Sequence, residues 1–351
     1  MKIVHIESGL GNQMLSFCEY LALKKIHPYE EIFIENIIYD IPECNEVICQ
    51  WNGYELERLF AVNAPNIKNK FLSEQWNEII EEVRASKFWE KRWNYAPYIT
   101  AALNGQGMNI TNIRGDFEAH QKKNDLKHGI IGKIRKSFFE HTLIGNTVRR
   151  YLTQNRDLTL PNKSFQDKIF YKGNNDVFTG QWLLFKFNGT GIERIHDDII
   201  RTFVFQPFSD EKNRITANLL DTTNSVFIHA RRGDMLSANG WCYKYGYFKR
   251  AVKHVRKNVE DPLFVFFTNT GSIEWCKEHT EDIFGLKKGD KVIFVDWNTG
   301  NQSFRDMQLM THCKHGIITN STFGWWGAYL IQNPQKITIS PLAEINTTYH
   351  C

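Results

Sequence analysis

The sequence contains no C-x-x-C pair, no Asp-x-Asp triplet and no apolar stretch near the roughly 20 residues that cross a bilayer. Its seven cysteines (Cys18, Cys44, Cys49, Cys242, Cys276, Cys313, Cys351) are scattered and odd in number. That argues against a zinc ribbon or a disulfide framework and reads as reduced thiols. The N-terminus, MKIVHIESGLGNQ, lacks the basic start, long apolar stretch and small-residue cleavage site of a signal peptide. The expectation is a cytoplasmic chain, at most peripheral on the inner face of a membrane. The excess of basic over acidic residues is small: a net +4 is not the concentrated basic stripe of a duplex-binding protein, so nucleic acid is not an expected partner. Without Asp-x-Asp no ligand pair is evident for a metal bridging a diphosphate, and no metal or other cofactor is expected.

What is present fits an α/β protein. The 351 residues exceed one typical core, so two domains are expected, here 1–205 and 206–351. Ile3 to Ile6 reads as a strand ended by Gly9 and Gly11. From Asn12, Met14, Phe17, Cys18, Leu21 and Ala22 recur at helical spacing, with Asn12 as the expected N-cap. A strand follows at Glu31–Glu35. The stretch from 65 to 150 is irregular and aromatic, with one helix expected around Trp76, Ile79, Ile80 and Val83. The Lys- and Arg-rich run Lys122–Lys136 fits a solvated face or contact with an anionic membrane surface.

The C-terminal part is more regular. Ser225–Ala230, Leu263–Phe267, Val292–Val295, Gly316–Thr319 and Lys336–Ile339 read as strands, separated by helical patterns. Such alternation implies a parallel sheet covered by helices, and ligands of these sheets bind beyond the carboxyl ends of the strands.

Three segments sit at such ends. The first, His229-Ala230-Arg231-Arg232-Gly233-Asp234, runs off a strand. Alternation puts His229 and Arg231 on one face and Arg232 on the other. An arginine fork there matches phosphate oxygens, although the pair equally fits structural ion pairs, for example with Asp234. Its Arg-Gly-Asp triplet, repeated at Arg114-Gly115-Asp116, is too short to support an adhesion reading. The second, Gly9-Leu10-Gly11-Asn12-Gln13, joins strand to helix; its glycines let a ligand near the backbone, and the helix start favours anions. The third, Asn320-Ser321-Thr322-Phe323-Gly324-Trp325-Trp326-Gly327, opens a helix with hydroxyls and free amides, and its tryptophans read as core anchors.

In this order, GLGNQ, HARRGD and NSTFGWW resemble glycosyltransferase family 11, the α-1,2-fucosyltransferases, here of bacterial type. The resemblance is close over 1–35 and 225–341, weaker near Thr179–Trp182 and poor across 65–150. It implies a GT-B-like architecture, two Rossmann-like domains facing each other across a cleft. It also implies GDP-fucose as donor, with inversion at the anomeric carbon and no metal. The acceptor would be an oligosaccharide or polysaccharide precursor ending in a galactoside. Carried over, Arg231 would hold the β-phosphate, with Arg232 beside it, and His229 would shape the donor pocket. Asn320, Ser321 and Thr322 would line the phosphate, Gly11 and Asn12 would face the donor, and Asp306 would contact guanine or ribose. Asp234 is the first candidate for general base and Glu7 the second; a mechanism driven by leaving-group stabilisation also fits. Gly324 departs from the family's usual Ser. A galactosyltransferase using UDP and an inactive glycan- or nucleotide-binding module are the competing readings. Oligomeric state is not legible.

Overall fold

The computed structural model describes residues 1–47, 52–91, 93–112, 176–179 and 195–341, with a few isolated positions between 134 and 145. The Lys122–Lys136 run, save Ile134, lies outside the described residues, as does the Thr179–Trp182 stretch beyond Thr179. The described strands and α-helices are β1 (Lys2–His5), α1 (Leu10–Ile26), β2 (Ile32–Glu35), α2 (Pro42–Val47), α3 (Leu56–Phe60), α4 (Ser73–Ala85), α5 (Ala96–Gly105), β3 (Thr111–Asn112), β4 (Val177–Thr179), α6 (His196–Thr202) and α7 (Glu211–Thr222). Then come β5 (Ser225–Ala230), α8 (Leu236–Lys244), α9 (Tyr247–Asn258), β6 (Leu263–Thr268), α10 (Ile273–Glu278), β7 (Lys291–Phe294), α11 (Phe304–His312), β8 (His315–Ile318), α12 (Thr322–Tyr329) and β9 (Thr338–Ile339).

Contacts divide the chain into two units. The first is Met1–Ser8, Gln13–Cys49 and Asn63–Ile199; the second is Gly9–Asn12, Gln50–Val62 and Ile200–Cys351. The change near 205/206 thus falls at Ile199/Ile200, and two short early segments join the second unit. Packing explains one of them. Phe60 meets Phe203 and Phe205 with ring centroids 5.2 and 4.9 Å apart, and the Arg58 guanidinium sits 5.3 Å over the Phe304 ring.

The first unit holds a parallel sheet in the order β2-β1-β4-β3. Every residue of β1 and β2 is buried, as a strand covered on both faces requires. On α4, the buried Trp76, Ile79 and Val83 follow the helical spacing of the sequence. One expectation is corrected. Helix α1 begins at Leu10 rather than after Asn12, and the Asn12 amide donates to the Gly9 carbonyl at 2.9 Å, within the first turn. Ser8, in the left-handed region (φ 64), turns the chain just before this earlier start. Asn12 is therefore not the N-cap.

The second unit holds a parallel sheet in the order β7-β6-β5-β8-β9. Strand alternation divides its core in two. Val226, Ile228 and Ala230 pack with Phe248, Val252 and Val255 of α9 and with Cys242 and Tyr243 of α8. Phe227 packs on the opposite face with Leu220 of α7, Leu309 and Met310 of α11 and Ala328 of α12. This is a doubly wound α/β layer structure. Cys18, Cys44, Cys242, Cys276 and Cys313 are buried free thiols. Among the described residues no helix is long and apolar enough to cross a membrane.

Candidate functional site

In the second sheet the chain runs outward from β5 to β6 and β7, then returns to place β8 on the other side of β5. The strand order therefore reverses between β5 and β8, and a doubly wound sheet opens its ligand crevice at the carboxyl ends of that pair. The ends are Arg231-Arg232 and Thr319-Asn320-Ser321. The expected HARRGD and NSTFGWW segments meet at this point.

Side chains from four elements hold the end of β5. The Thr268 hydroxyl donates to the Ala230 carbonyl at 2.7 Å. The Thr319 hydroxyl accepts from the Arg231 amide and donates to the His229 carbonyl, both at 3.1 Å. Tyr243 Oη and Asn239 Nδ2 donate to the Arg231 carbonyl at 2.9 and 3.3 Å. Asn269 Oδ1 accepts from the Arg232 amide at 2.9 Å. The backbone that aims Arg231 is thus fixed before any ligand arrives, which is the preorganisation an anion site needs. None of Thr268, Asn269, Asn239, Tyr243 or Thr319 stands out in the sequence. The only signal was their place just past a strand or in the helix that follows one.

The two arginines part as alternation requires. The Arg232 guanidinium lies 3.3 Å over the Trp275 ring and 5.0 Å from the Tyr243 ring centroid, on the α8–α10 side of the sheet. It is engaged in cation–π contacts there, where the resemblance implied a place beside the donor. Arg231 is half-buried, and its charge acts on the His229 ring.

His229 is buried, and its Nδ1 has no hydrogen-bond partner. Burial, with the Arg231 charge adding to it, pushes its pKa down to about 3, so the ring is neutral at physiological pH. It presses against α12: a Cβ on Gly324 would collide with His229 Nδ1 and come within 2.9 Å of Cγ. The departure from Ser at 324 thus has a steric reason in this chain.

Ser321 is the N-cap of α12 but makes no capping bond with its side chain, so its hydroxyl is not spent on the helix. Asn320 is tied to Asn239, whose Oδ1 accepts from the Asn320 amide at 3.0 Å. Gly11 packs against this helix start: a Cβ there would stand 2.7 Å from Thr322 Oγ1 and 2.8 Å from the Phe323 nitrogen. Its carbonyl accepts from Trp326 Nε1 at 2.8 Å. The absent side chain thus admits α12, where the sequence suggested room for a ligand. Trp326 is buried, as a core anchor should be, while Trp325 is half-buried and stacks on Tyr329 at 5.0 Å.

Asp306, in the first turn of α11, accepts from Asn298 Nδ2 at 2.8 Å. Asn298 in turn bonds Asn213. Burial chiefly pushes the Asp306 pKa up to about 7, with Asp296 adding to it against the Asn298 bond. Asp234 lies in a 3-10 turn, Gly233–Met235; its side chain is outside the described part of the structure. Glu7, in the first unit, is buried and accepts from Trp93 Nε1 at 3.0 Å. Among the described residues no cluster of His, Cys, Asp or Glu could hold a metal ion.

The sequence model of glycosyl transferase family 11 matches residues 196–350. The chain is 30% identical over 217 residues to an alpha-1,2-colitosyltransferase of Escherichia coli, covering 58% of this chain and 69% of that protein. The chain belongs to glycosyl transferase family 11. A galactoside alpha-(1,2)-fucosyltransferase 1 of Ateles belzebuth is 36% identical over 110 residues, 30% of this chain and only 28% of that relative. A crystal structure of NodZ alpha-1,6-fucosyltransferase soaked with GDP-fucose aligns over 94% of this chain with TM-score 0.42 and 12% identity, too distant to carry argument about the site. The family 11 match spans the β5 and β8 ends, Asp306 and α12; Glu7, Gly11 and Asn12 precede it.

Proposed function

We propose that this family 11 glycosyltransferase moves L-fucose from GDP-β-L-fucose to the 2-hydroxyl of a galactose on an oligosaccharide or polysaccharide-precursor acceptor. The product is an α-1,2-fucoside. The observation that carries this reading is the Arg231 peptide, clamped at the switch point between β5 and β8 and next to the start of α12.

The chemistry follows from that placement. The acceptor oxygen bonds the anomeric carbon on the face opposite the diphosphate, so the configuration inverts. The bond from that carbon to the β-phosphate oxygen breaks, and its electron pair stays on GDP. Arg231, the Ser321 and Thr322 hydroxyls and the first-turn amides of α12 neutralise the charge gathering there without a metal. His229 shapes the pocket as a neutral ring, which leaves Arg231 as the local cation. Asp306 contacts the guanine or ribose. The acceptor proton passes to a carboxylate, with Asp234 ahead of Glu7 because Glu7 is buried and bonded to Trp93. The place of work is the cytoplasm.

A second reading is favoured by the E. coli relative, whose match covers 69% of that protein. The donor would then be the colitose counterpart, which lacks the 3-hydroxyl of fucose. A site that hydrogen-bonds this hydroxyl rejects the deoxy sugar steeply; a site that merely accommodates it discriminates weakly. The test is transfer to lactose and N-acetyllactosamine from GDP-fucose, GDP-colitose and UDP-galactose. Turnover with GDP-fucose, lost in Arg231→Ala, supports the proposal. Turnover with UDP-galactose alone sinks it, and preference for GDP-colitose selects the second reading.

A further inference from the structure

The backbone register between β5 and β8 runs from Val226↔His315 to His229↔Ile318 and stops there. Beyond it the strands must part for a crevice to open, and something other than the ladder has to set how far. Asn239, in the middle of α8 and fully buried, stands at that place. Its Oδ1 accepts from the Asn320 amide at 3.0 Å. Its Nδ2 donates to the Asn320 carbonyl and to the Arg231 carbonyl, each at 3.3 Å. Three of the four hydrogen-bonding sites of a carboxamide are therefore spent on two residues, one at each strand end.

We propose that Asn239 is a positioning residue that sets the gap between Arg231 and the Asn320–Thr322 helix start, and thereby the grip on a donor's second phosphate. The inference rests on the reading of this crevice as a nucleoside diphosphate site. The shape of the group matters: a carboxamide offers a donor and an acceptor side by side, as a peptide does, and so continues the pairing of Asn320 where the sheet ends. Tyr243, on the same helix one turn later, supports only the Arg231 side. Among the described side chains of α8 Asn239 is the one that bonds both walls, adding to the Thr319 hydroxyl that reaches the Arg231 amide from the end of β8.

A loss of general stability would weaken GDP and GMP alike; a misplaced phosphate grip weakens GDP selectively. The experiment is calorimetric titration of GDP and of GMP into wild type, Arg231→Ala, Asn239→Ala and Asn239→Asp, with melting curves for each. Wild type is expected to hold GDP more tightly than GMP, and Arg231→Ala to lose that preference. Asn239→Ala should cut the preference about tenfold, a change of about 1.4 kcal/mol, while GMP affinity moves little. Asn239→Asp keeps an acceptor for the Asn320 amide but loses both donors, and should also lose preference. Either variant, folded and with the wild-type ratio, overturns the proposal, as does an equal loss of both affinities. If Asn239→Ala does not fold, Asn239→Asp decides. If neither folds, Asn239 belongs to the core and the proposal fails. A wild type that binds GMP as tightly as GDP removes the reading of the crevice, and this inference with it.

Discussion

At the carboxyl ends of β1 and β2 in the first sheet the described carboxylates Glu7 and Glu35 are turned inward. Glu35 bonds His5 Nδ1 at 2.5 Å and takes the Ile37 amide; Glu7 takes the Trp93 indole. All three of His5, Glu7 and Glu35 are buried, and His5 stacks on Tyr95 with centroids 3.8 Å apart. At the end of β5 in the second sheet the described charged side chains are Arg231 and Arg232. There polar side chains are spent on the backbone, leaving Arg231 aimed by a fixed frame. The two sheets share one architecture but commit their polar groups differently. In the first unit these carboxylates are committed to buried partners; in the second, polar side chains hold the backbone around Arg231, the cation proposed to meet the diphosphate.

The largest expected effect tests the second edge. Arg231→Ala should lower transfer turnover by about 10²- to 10³-fold, the scale of losing a preorganised charge-stabilising group. Steady-state kinetics check the loss, beside a thermal melt that shows the variant to be folded. The counterpart in the first unit is Glu35→Ala, which leaves His5 and the Ile37 amide without their buried partner. It should cost about 3 kcal/mol of stability, the scale of breaking a buried pair, with GDP affinity little changed. A Glu35→Ala protein of wild-type stability would break the contrast.

Gly324→Ala sharpens it further. In a helix this change ordinarily stabilises by up to about 1 kcal/mol, but here the added methyl meets the His229 ring. Overpacking of about 1–3 kcal/mol should win, giving a net loss in denaturant unfolding and weaker GDP binding as His229 shifts.

A further effect is in pH. Asp306, raised from 3.8 to about 7, binds more protons folded than unfolded in that window, so its contribution to stability falls as pH rises through it. His229, lowered from 6.5 to about 3, acts in the opposite sense, and its contribution is lost as pH falls below 6.5. Asp306→Asn should therefore flatten the decline with rising pH between about 4 and 7, as read by unfolding at successive pH values. An unchanged profile would leave Asp306 with an ordinary carboxyl.

The strands of the second unit are legible in the sequence because each is a short apolar run. The parallel order then directs attention to Arg231, Asn320 and Ser321. Helix α8 is not legible: LSANGWCYK has no apolar stripe, since Asn239 and Gly240 sit in its middle. The importance of Asn239 depends on a partner 81 residues away, which no local pattern reports. Gly11 and Asn12 mislead for a related reason. A glycine-rich turn before a helix suggests ligand access, yet the space at Gly11 is filled by α12, and the helix already begins at Leu10. The burial of Glu7 beneath Trp93, 86 residues later, is equally invisible in one dimension. Sequence reading thus reaches groups whose role follows from strand position and fails where the role comes from a distant neighbour.

Arg231 is proposed to meet the second phosphate of a guanine nucleotide at the β5–β8 switch point, and phosphorus NMR of bound GDP reads that contact. The β-phosphorus resonance is expected to shift on binding to wild type and to lose this shift in Arg231→Ala, with the α-phosphorus less affected. A β-phosphorus resonance that responds identically to wild type and Arg231→Ala would rule the contact out.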